Sequence, residues 1–256
     1  AYLLIKELDS DGPAGCASAS PTGEMLTEVT IGTTDMELGW TGLGLNGVRA
    51  DMSVKFGLTG NVPTSMGGAF EMTEVKISFE TFEIYKLAAS VMFGTGENYI
   101  AAAIGMRFGE FDVAGGVFFG RSCDLEPLKL IDPLVADVVP TATITGIYAY
   151  GEGTFPIFGT GTCFFNISAK AGAGVFYFQE GPTYGGRMTL GIFGEALCAV
   201  EVGAEIALAG SKSGDTYNFA GYGRVTGKAG VYPLCVKANF QVDLKYTDAS
   251  GWDVNF

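Results

Sequence analysis

The sequence lacks histidine entirely and is poor in charged residues. Its 256 residues include 28 acidic and 15 basic side chains, and only 17% of the chain is charged. Without imidazole, Ser-His-Asp and Cys-His catalysis and the histidine ligands of catalytic zinc are excluded. We therefore expect a non-catalytic protein with no cofactor and no bound metal.

Long apolar runs and paired cysteines are also missing. No stretch of about 18 apolar residues occurs, so we expect no transmembrane helix, whereas membrane strands need only about 9–11 residues. The five cysteines form no C-x-x-C pair, which excludes a zinc ribbon and a thioredoxin-like motif. We expect Cys198 and Cys235 to pack as small apolar residues on strands, with one or two disulfides as the alternative.

The composition that remains is acidic, apolar and rich in glycine. A net charge of -13 opposes binding to nucleic acid, because that binding depends on Lys and Arg. Apolar residues make up 48% of the chain and glycine contributes 39 residues. Much of the surface must then be uncharged, as in surfaces that face lipid, another subunit or a second sheet.

Strand-like alternation dominates the chain. From 187 to 209 the even positions are small or apolar, while Arg187, Glu195, Glu201 and Glu205 are odd, which predicts one long strand with its even side chains buried and a bend at Gly191 or Gly194. Segments 48–58 and 236–246 alternate in the same way. We predict an all-β fold of long antiparallel strands in a large twisted sheet or sandwich, forming a single domain over 1–256.

Turn and helix signals divide this β structure. Hairpin turns are predicted at Asn46-Gly47, Gly109-Glu110, 213–215 and 248–251. One short helix is predicted near 133–139, with Asp132 as its cap, Pro133 in its first position and Pro140 after its end. This helix would connect two β halves, about 20–122 and 141–256.

Three short motifs resemble binding loops only in part. Residues 42–47 match a dinucleotide fingerprint, but the alternation after them predicts a strand where the fingerprint requires a helix. Residues 223–229 resemble a phosphate loop with one residue too few and no hydroxyl for magnesium. Asp9–Gly12 resembles the start of a calcium loop that no acid closes. Glu110 and Asp112 lie close enough for paired-acid hydrolysis, yet a soluble hairpin tip is the simpler interpretation.

Two segments suggest an assembly surface. The Gly/Ala-rich segment 167–178 places Ala169, Ala171 and Ala173 on one side, which indicates close approach of another sheet or chain, with an edge strand as the alternative. The C-terminal alternation of Trp252, Val254 and Phe256 predicts an edge strand that must be covered.

The main functional hypothesis is a secreted or cell-surface structural subunit that self-assembles into a homo-oligomer, particle or filament. The first alternative is an outer-membrane β-barrel serving as a pore or anchor, which is the form in which we expect membrane contact. The second alternative is a lipid or ligand carrier with a cavity lined by Phe118, Phe119, Phe176 and Phe178. No nucleic-acid partner is expected.

Overall fold

The fold is taken from a computed structural model of the chain. The structure describes residues 2–8, 26–40, 43–57, 62–79, 82–94, 96–141, 143–159, 165–179, 181–197, 199–231 and 234–255. Side chains are described for 66–70, 83–94, 96–141, 143–159, 165–179, 181–197, 199–230 and 236–255. The predicted Asp9–Gly12 motif and Phe256 lie outside the described residues.

Fourteen antiparallel strands form one sheet, in which each strand pairs with its neighbours in the chain. They are β1 Tyr2–Leu8, β2 Leu26–Trp40, β3 Leu43–Gly57, β4 Val62–Phe79, β5 Phe82–Gly94, β6 Asn98–Phe108, β7 Phe111–Ser122, β8 Ile144–Gly159, β9 Phe165–Phe178, β10 Thr183–Ala196, β11 Val200–Ser213, β12 Thr216–Val231, β13 Leu234–Thr247 and β14 Gly251–Asn255. The all-β prediction of long antiparallel strands is confirmed. Among the described residues, the strand pairings run in order from β1 to β14 and none joins β1 to β14, so the sheet is open.

Two short helices, not one, separate β7 from β8. Helix α1 spans Glu126–Ile131 and helix α2 spans Pro133–Ala136. The predicted cap is confirmed, since the Asp132 carboxylate accepts a hydrogen bond from the Val135 amide and Pro133 occupies the first turn. Helix α1, which begins after Leu125, was not predicted.

The predicted single strand over 187–209 is a hairpin. Strands β10 and β11 pair from Thr183↔Ser213 to Ala196↔Val200, and the chain reverses at 197–199, where Leu197 has a φ of 54°. The prediction failed because this turn carries no Gly, Pro, Asn or Asp signal. Even positions stay on one face through the turn, since Met188 pairs with Leu208 and Leu190 with Ile206.

The burial predicted for these even positions is wrong. Val202 is 56% exposed and Ile192 is 54% exposed, whereas Thr189 and Ala207 on the opposite face are fully buried. The alternation itself is real, but it cannot tell a core-facing apolar side from an outward one. The polar side is the one that packs against the rest of the chain.

Most predicted turns are confirmed. The structure has turns at 109–110, 214–215 and 248–250. The first two contain a glycine with positive φ, and the third directly precedes one, Gly251. The Asn46-Gly47 turn is wrong, because both residues lie inside β3. They sit where the β2–β3 register shifts, which is typical of a bulge rather than a hairpin turn.

The sheet curves around the helical segment. Helix α1 contacts β5, β6 and β7, while α2 contacts β10, β11 and β12. Strands from β5 to β12 therefore turn the same face toward residues 126–136, and we call this the inner face. The core between them includes the fully buried Phe118, Leu128, Val135, Tyr148 and Phe178. No helix in the described ranges has the length and apolarity needed to cross a membrane.

Candidate functional site

The outer face of the sheet is apolar over many neighbouring strands. Register places Ala171, Leu190 and Ile206 side by side on β9, β10 and β11, and the rows above and below continue onto β8 and β12. Many of its large side chains are well exposed: Val117, Phe119, Ile147, Val175, Met188, Leu190, Ile192, Val202, Ile206, Leu208, Val225 and Phe240. This apolar surface extends far beyond the scattered exposure of an ordinary soluble protein.

Aromatic residues lie toward the two ends of this outer face. At the end next to the helices and the 214–215 turn lie Phe119, Tyr177, Tyr184, Tyr217, Phe219, Tyr246 and Trp252. At the opposite end lie Phe108, Phe111, Phe155 and Phe165. Between these two groups the outer face carries mainly aliphatic residues and glycine.

Charged residues of the central strands point to the inner face. Arg187 of β10 pairs with Asp132 between the two helices at 2.8 Å and with Glu152 of β8 at 3.0 Å. It also donates to the Thr189 hydroxyl and lies over the Tyr150 ring at 5.0 Å. Since the side chains of Arg187 and Asp132 are 11% and 2% exposed, this pair is a buried salt bridge that ties the helices to the sheet.

A second set of ion pairs continues from Arg187 along the inner face. Lys170 of β9 lies between Glu152 and Glu205, with Nζ to oxygen distances of 3.3 and 3.4 Å. Glu205 in turn accepts a hydrogen bond of 2.6 Å from the Tyr222 hydroxyl. In this network the two bases, Lys170 and Arg187, are each paired with acids on both sides.

The helical segment is held by hydrogen bonds as well as by packing. Tyr148 donates to the Asp132 carboxylate, and Ser211 of β11 donates to the Val138 carbonyl. Phe118 stacks against Tyr99 and meets Phe178 edge to face. The segment therefore acts as a plug, which we define as residues 125–139, against the inner face.

Two cavities open on the inner face, and the first of them lies beside the plug. One of about 400 Å³ lies between α2 and β12–β14 and is lined by Asp137, Arg187, Asp243 and Lys245 among others. A smaller one of about 150 Å³ is lined by Tyr85, Arg107, Asp112 and Lys170. Arg107 and Asp112 form a bidentate pair there, and Glu110 is an exposed turn residue, as the hairpin-tip interpretation expected.

The predicted assembly residues share the outer face but do not meet. Trp252 and Val254 are exposed on β14 at the edge of the sheet. Ala169, Ala171 and Ala173 lie on β9, which pairs on both sides with β8 and β10 and is therefore not an edge strand. Several strands separate the two groups.

Other predicted sites have the following places in the fold. Residues 43–47 of the first motif lie within β3, and 223–229 lie within β12, so neither of these described segments begins a phosphate-binding helix. Phe118, Phe176 and Phe178 are buried core residues, whereas Phe119 is 65% exposed on the outer face. Cys198 lies outside the described residues, and Cys235 belongs to β13. Cys123 is disulfide-bonded.

The charged network was missed in the sequence because its members lie on separate segments that only the folded sheet brings together: Asp132, Glu152, Lys170, Arg187 and Glu205. Within 187–209 the available signal was the opposite charge of Arg187 and Glu205 on one side of the strand pattern. Among the residues that the structure describes, no group of three or more His, Cys, Asp or Glu side chains could hold a metal ion.

Comparison with known proteins identifies no relative of this chain. No protein-family profile matches the chain, and neither a curated protein nor a solved structure shows significant similarity to it.

Proposed function

We propose that this chain is an outer-membrane protein that crosses the bilayer with its strands and serves as a membrane anchor. The observation that carries the proposal is the division of the sheet into two faces. On β8–β13 the described outer-face side chains include a single charged residue, Lys212, and it lies at one end. The many ion pairs lie on the inner face, where the bilayer would not reach them.

The lengths of the strands support this proposal. Strands β8–β13 each contain 14 to 16 residues. A membrane strand tilted by about 45° needs roughly 9–11 residues to cross the hydrocarbon core. Each strand is therefore long enough to cross the core, and the two aromatic groups of the outer face would lie near the two interfaces, as in membrane sheets.

The exposed apolar side chains give an energetic reason for insertion into lipid. A fully buried Val, Leu or Ile side chain is worth about 1.5–3 kcal/mol relative to one in water. On β8–β13 alone, nearly twenty large side chains of this face are more than a third exposed in the isolated chain. Lipid would remove that surface from water without requiring a shape-matched partner.

The packed plug favours an anchor over an open pore. Leu128, Ile131, Val135 and Val138 are buried against Phe118 and Phe178. These apolar contacts fill the inner face at the helix end, and the Asp132–Arg187 salt bridge holds them in place. The Cys123 disulfide also supports an extracytoplasmic location, because disulfides persist in oxidising compartments.

The self-assembling surface subunit stays a prediction and is the competing explanation of the outer face. In that case other copies, not lipid, would cover the apolar side chains. The chain would then form large particles without detergent, and vesicles would not retain it.

Flotation with vesicles tests the proposal. The chain, folded in detergent, is mixed with phospholipid vesicles, freed of detergent, washed at alkaline pH and centrifuged through a density gradient. We expect it to float with the vesicles and to run as a discrete species in detergent. A chain that stays at the bottom, or that forms ordered particles without detergent or lipid, would contradict the membrane proposal.

A further inference from the structure

A single lysine lies among tyrosines at one end of the outer face. Lys212 of β11 is directly opposite Tyr184 of β10 on one side and Tyr217 of β12 on the other. Its ammonium group lies 5.1 Å from the centre of the Tyr217 ring. Its main electrostatic interactions are with the Tyr217 and Tyr184 side chains, both of which are well exposed. The three side chains thus form one outward cluster.

Two glycines lie next to this cluster on the same face. Gly186 and Gly210 pair with each other one row further along β10 and β11. The Phe219 ring lies over Gly210, and a Cβ at Gly186 would come within 2.6 Å of the Gly174 carbonyl oxygen, so the backbone there admits only glycine. The next row consists of Met188 and Leu208, which are exposed and apolar. Lys212 therefore lies two rows from an aliphatic surface, and the Gly186 position between them carries no side chain.

The position of the charge indicates the kind of ligand. Lysine side chains at the border of an apolar band extend toward the polar headgroup layer, and tyrosines are typical of that layer. A cation with two flanking hydroxyl donors matches a phosphate group, which accepts several hydrogen bonds. The exposed Met188 and Leu208 side chains nearby offer an apolar surface for an acyl chain.

We infer that Lys212, Tyr184 and Tyr217 bind the phosphate of an anionic phospholipid whose acyl chain lies over Gly186 against Met188 and Leu208. This inference rests on the proposed membrane function and adds a lipid preference to it. Lys212 supplies the charge, the tyrosines supply the hydrogen bonds, and Met188 and Leu208 supply the apolar surface.

Lipid retention measured by native mass spectrometry tests the inference. The protein is extracted from vesicles of equimolar phosphatidylglycerol and phosphatidylcholine, and the bound lipids are counted. We expect the wild type to retain phosphatidylglycerol and Lys212→Gln to retain about fivefold less, the size of one lysine–anionic lipid attraction. Lys212→Arg should keep most of the retention, because the charge remains.

A matched variant controls for the loss of one positive charge. Lys228 lies on the inner face beside Glu201, so Lys228→Gln removes an equal charge without touching the cluster and should leave retention unchanged. Equal phosphatidylglycerol retention by wild type and Lys212→Gln would overturn the inference.

Flotation distinguishes this failure from failure of the proposed function. If Lys212→Gln floats like the wild type yet retains phosphatidylglycerol equally, the lipid site is wrong and the membrane proposal stands. If the wild type itself does not float, the membrane proposal and the lipid site fall together.

Discussion

At the scale of single residues, the Arg187–Asp132 pair is the contact on which the plug depends most. Asp132 caps α2, accepts from Tyr148 and neutralises Arg187, and it is almost fully buried. A carboxylate in this setting is stable only because its partners surround it. Removing one partner leaves the other charge buried and unpaired, which costs far more than the net contribution of the pair.

We therefore expect Arg187→Gln and Asp132→Asn each to lower the free energy of unfolding in detergent by about 3–5 kcal/mol. The double variant Arg187→Met with Asp132→Leu should cost less than the sum of the two single changes, because no unpaired charge remains. Arg224→Gln is the control, since Arg224 is exposed and bonded to Gln241. Denaturant titration measures all four. Single variants as stable as Arg224→Gln would show that the pair does not hold the plug.

A second residue-scale prediction concerns Ile206, at the middle of the outer face of β11. The side chain is 46% exposed, so Ile206→Arg should be tolerated in detergent. In a bilayer the same charge should cost about 2–4 kcal/mol, as for Arg or Lys on a lipid-facing strand at the midplane. We expect flotation with vesicles to drop sharply for Ile206→Arg and to persist for Ile206→Ala. Equal flotation of both variants would argue against lipid contact at this position.

At the scale of elements, the alternation of apolar and polar residues predicted several strands correctly, but it did not predict which side of each strand faces the core. Segments 48–58 and 236–246 lie in β3 and β13 nearly as predicted. In 187–209 the period of two was right, but a turn without glycine or proline hid the division into β10 and β11. The direction of the apolar side could not be predicted, because a period of two is the same whether the apolar side faces a core or lipid.

The Asp132–Arg187 pair and the Lys212 cluster were even harder to predict from the sequence. Asp132 was correctly predicted as a helix cap, yet its partner Arg187 is 55 positions away and only the curvature of the sheet brings them together. Lys212 was missed for a similar reason. Its tyrosine neighbours come from two other strands, so the cluster exists only in the paired register.

The proposed membrane location requires partners for the two edge strands, β1 and β14. In lipid, unpaired backbone groups are costly, so β1 and β14 must pair with each other or with edges of a second copy. An even number of strands makes β1 and β14 run in opposite directions, which suits antiparallel pairing. Strand β14 has five residues and pairs with Asp243–Thr247 of β13.

We expect deletion of residues 252–256 to leave a largely β chain that no longer inserts into vesicles, because the edge of β13 would then lose its partner at Asp243–Tyr246 as well. Circular dichroism reports the retained strand content, and flotation reports insertion. Trp252→Phe keeps the backbone pairing and is the control. Insertion of the shortened chain at the wild-type level would place the essential edge contact elsewhere, first on β1.

At the scale of the whole molecule, the two faces predict how deep each position lies in a bilayer. Trp252 lies in the aromatic group at the helix end, Ile206 lies near the middle of the apolar band, and Lys245 points to the inner face beside the larger cavity. Tryptophan fluorescence is quenched by bromine atoms on lipid acyl chains only at close range. A set of single-tryptophan variants therefore converts the proposed orientation into a depth profile.

In a Trp40→Phe background, we expect Trp252 to be quenched best by lipids brominated near the headgroup. With Trp252 also replaced by Phe, Ile206→Trp should be quenched best by lipids brominated near the chain ends, because its position is central in the band. Lys245→Trp, in the same double-Phe background, is the control and should be quenched little by either lipid, since the sheet shields the inner face from the bilayer. If the three positions are quenched alike, the sheet does not cross the bilayer in this orientation. If the inner position is quenched most, the assignment of the two faces is reversed.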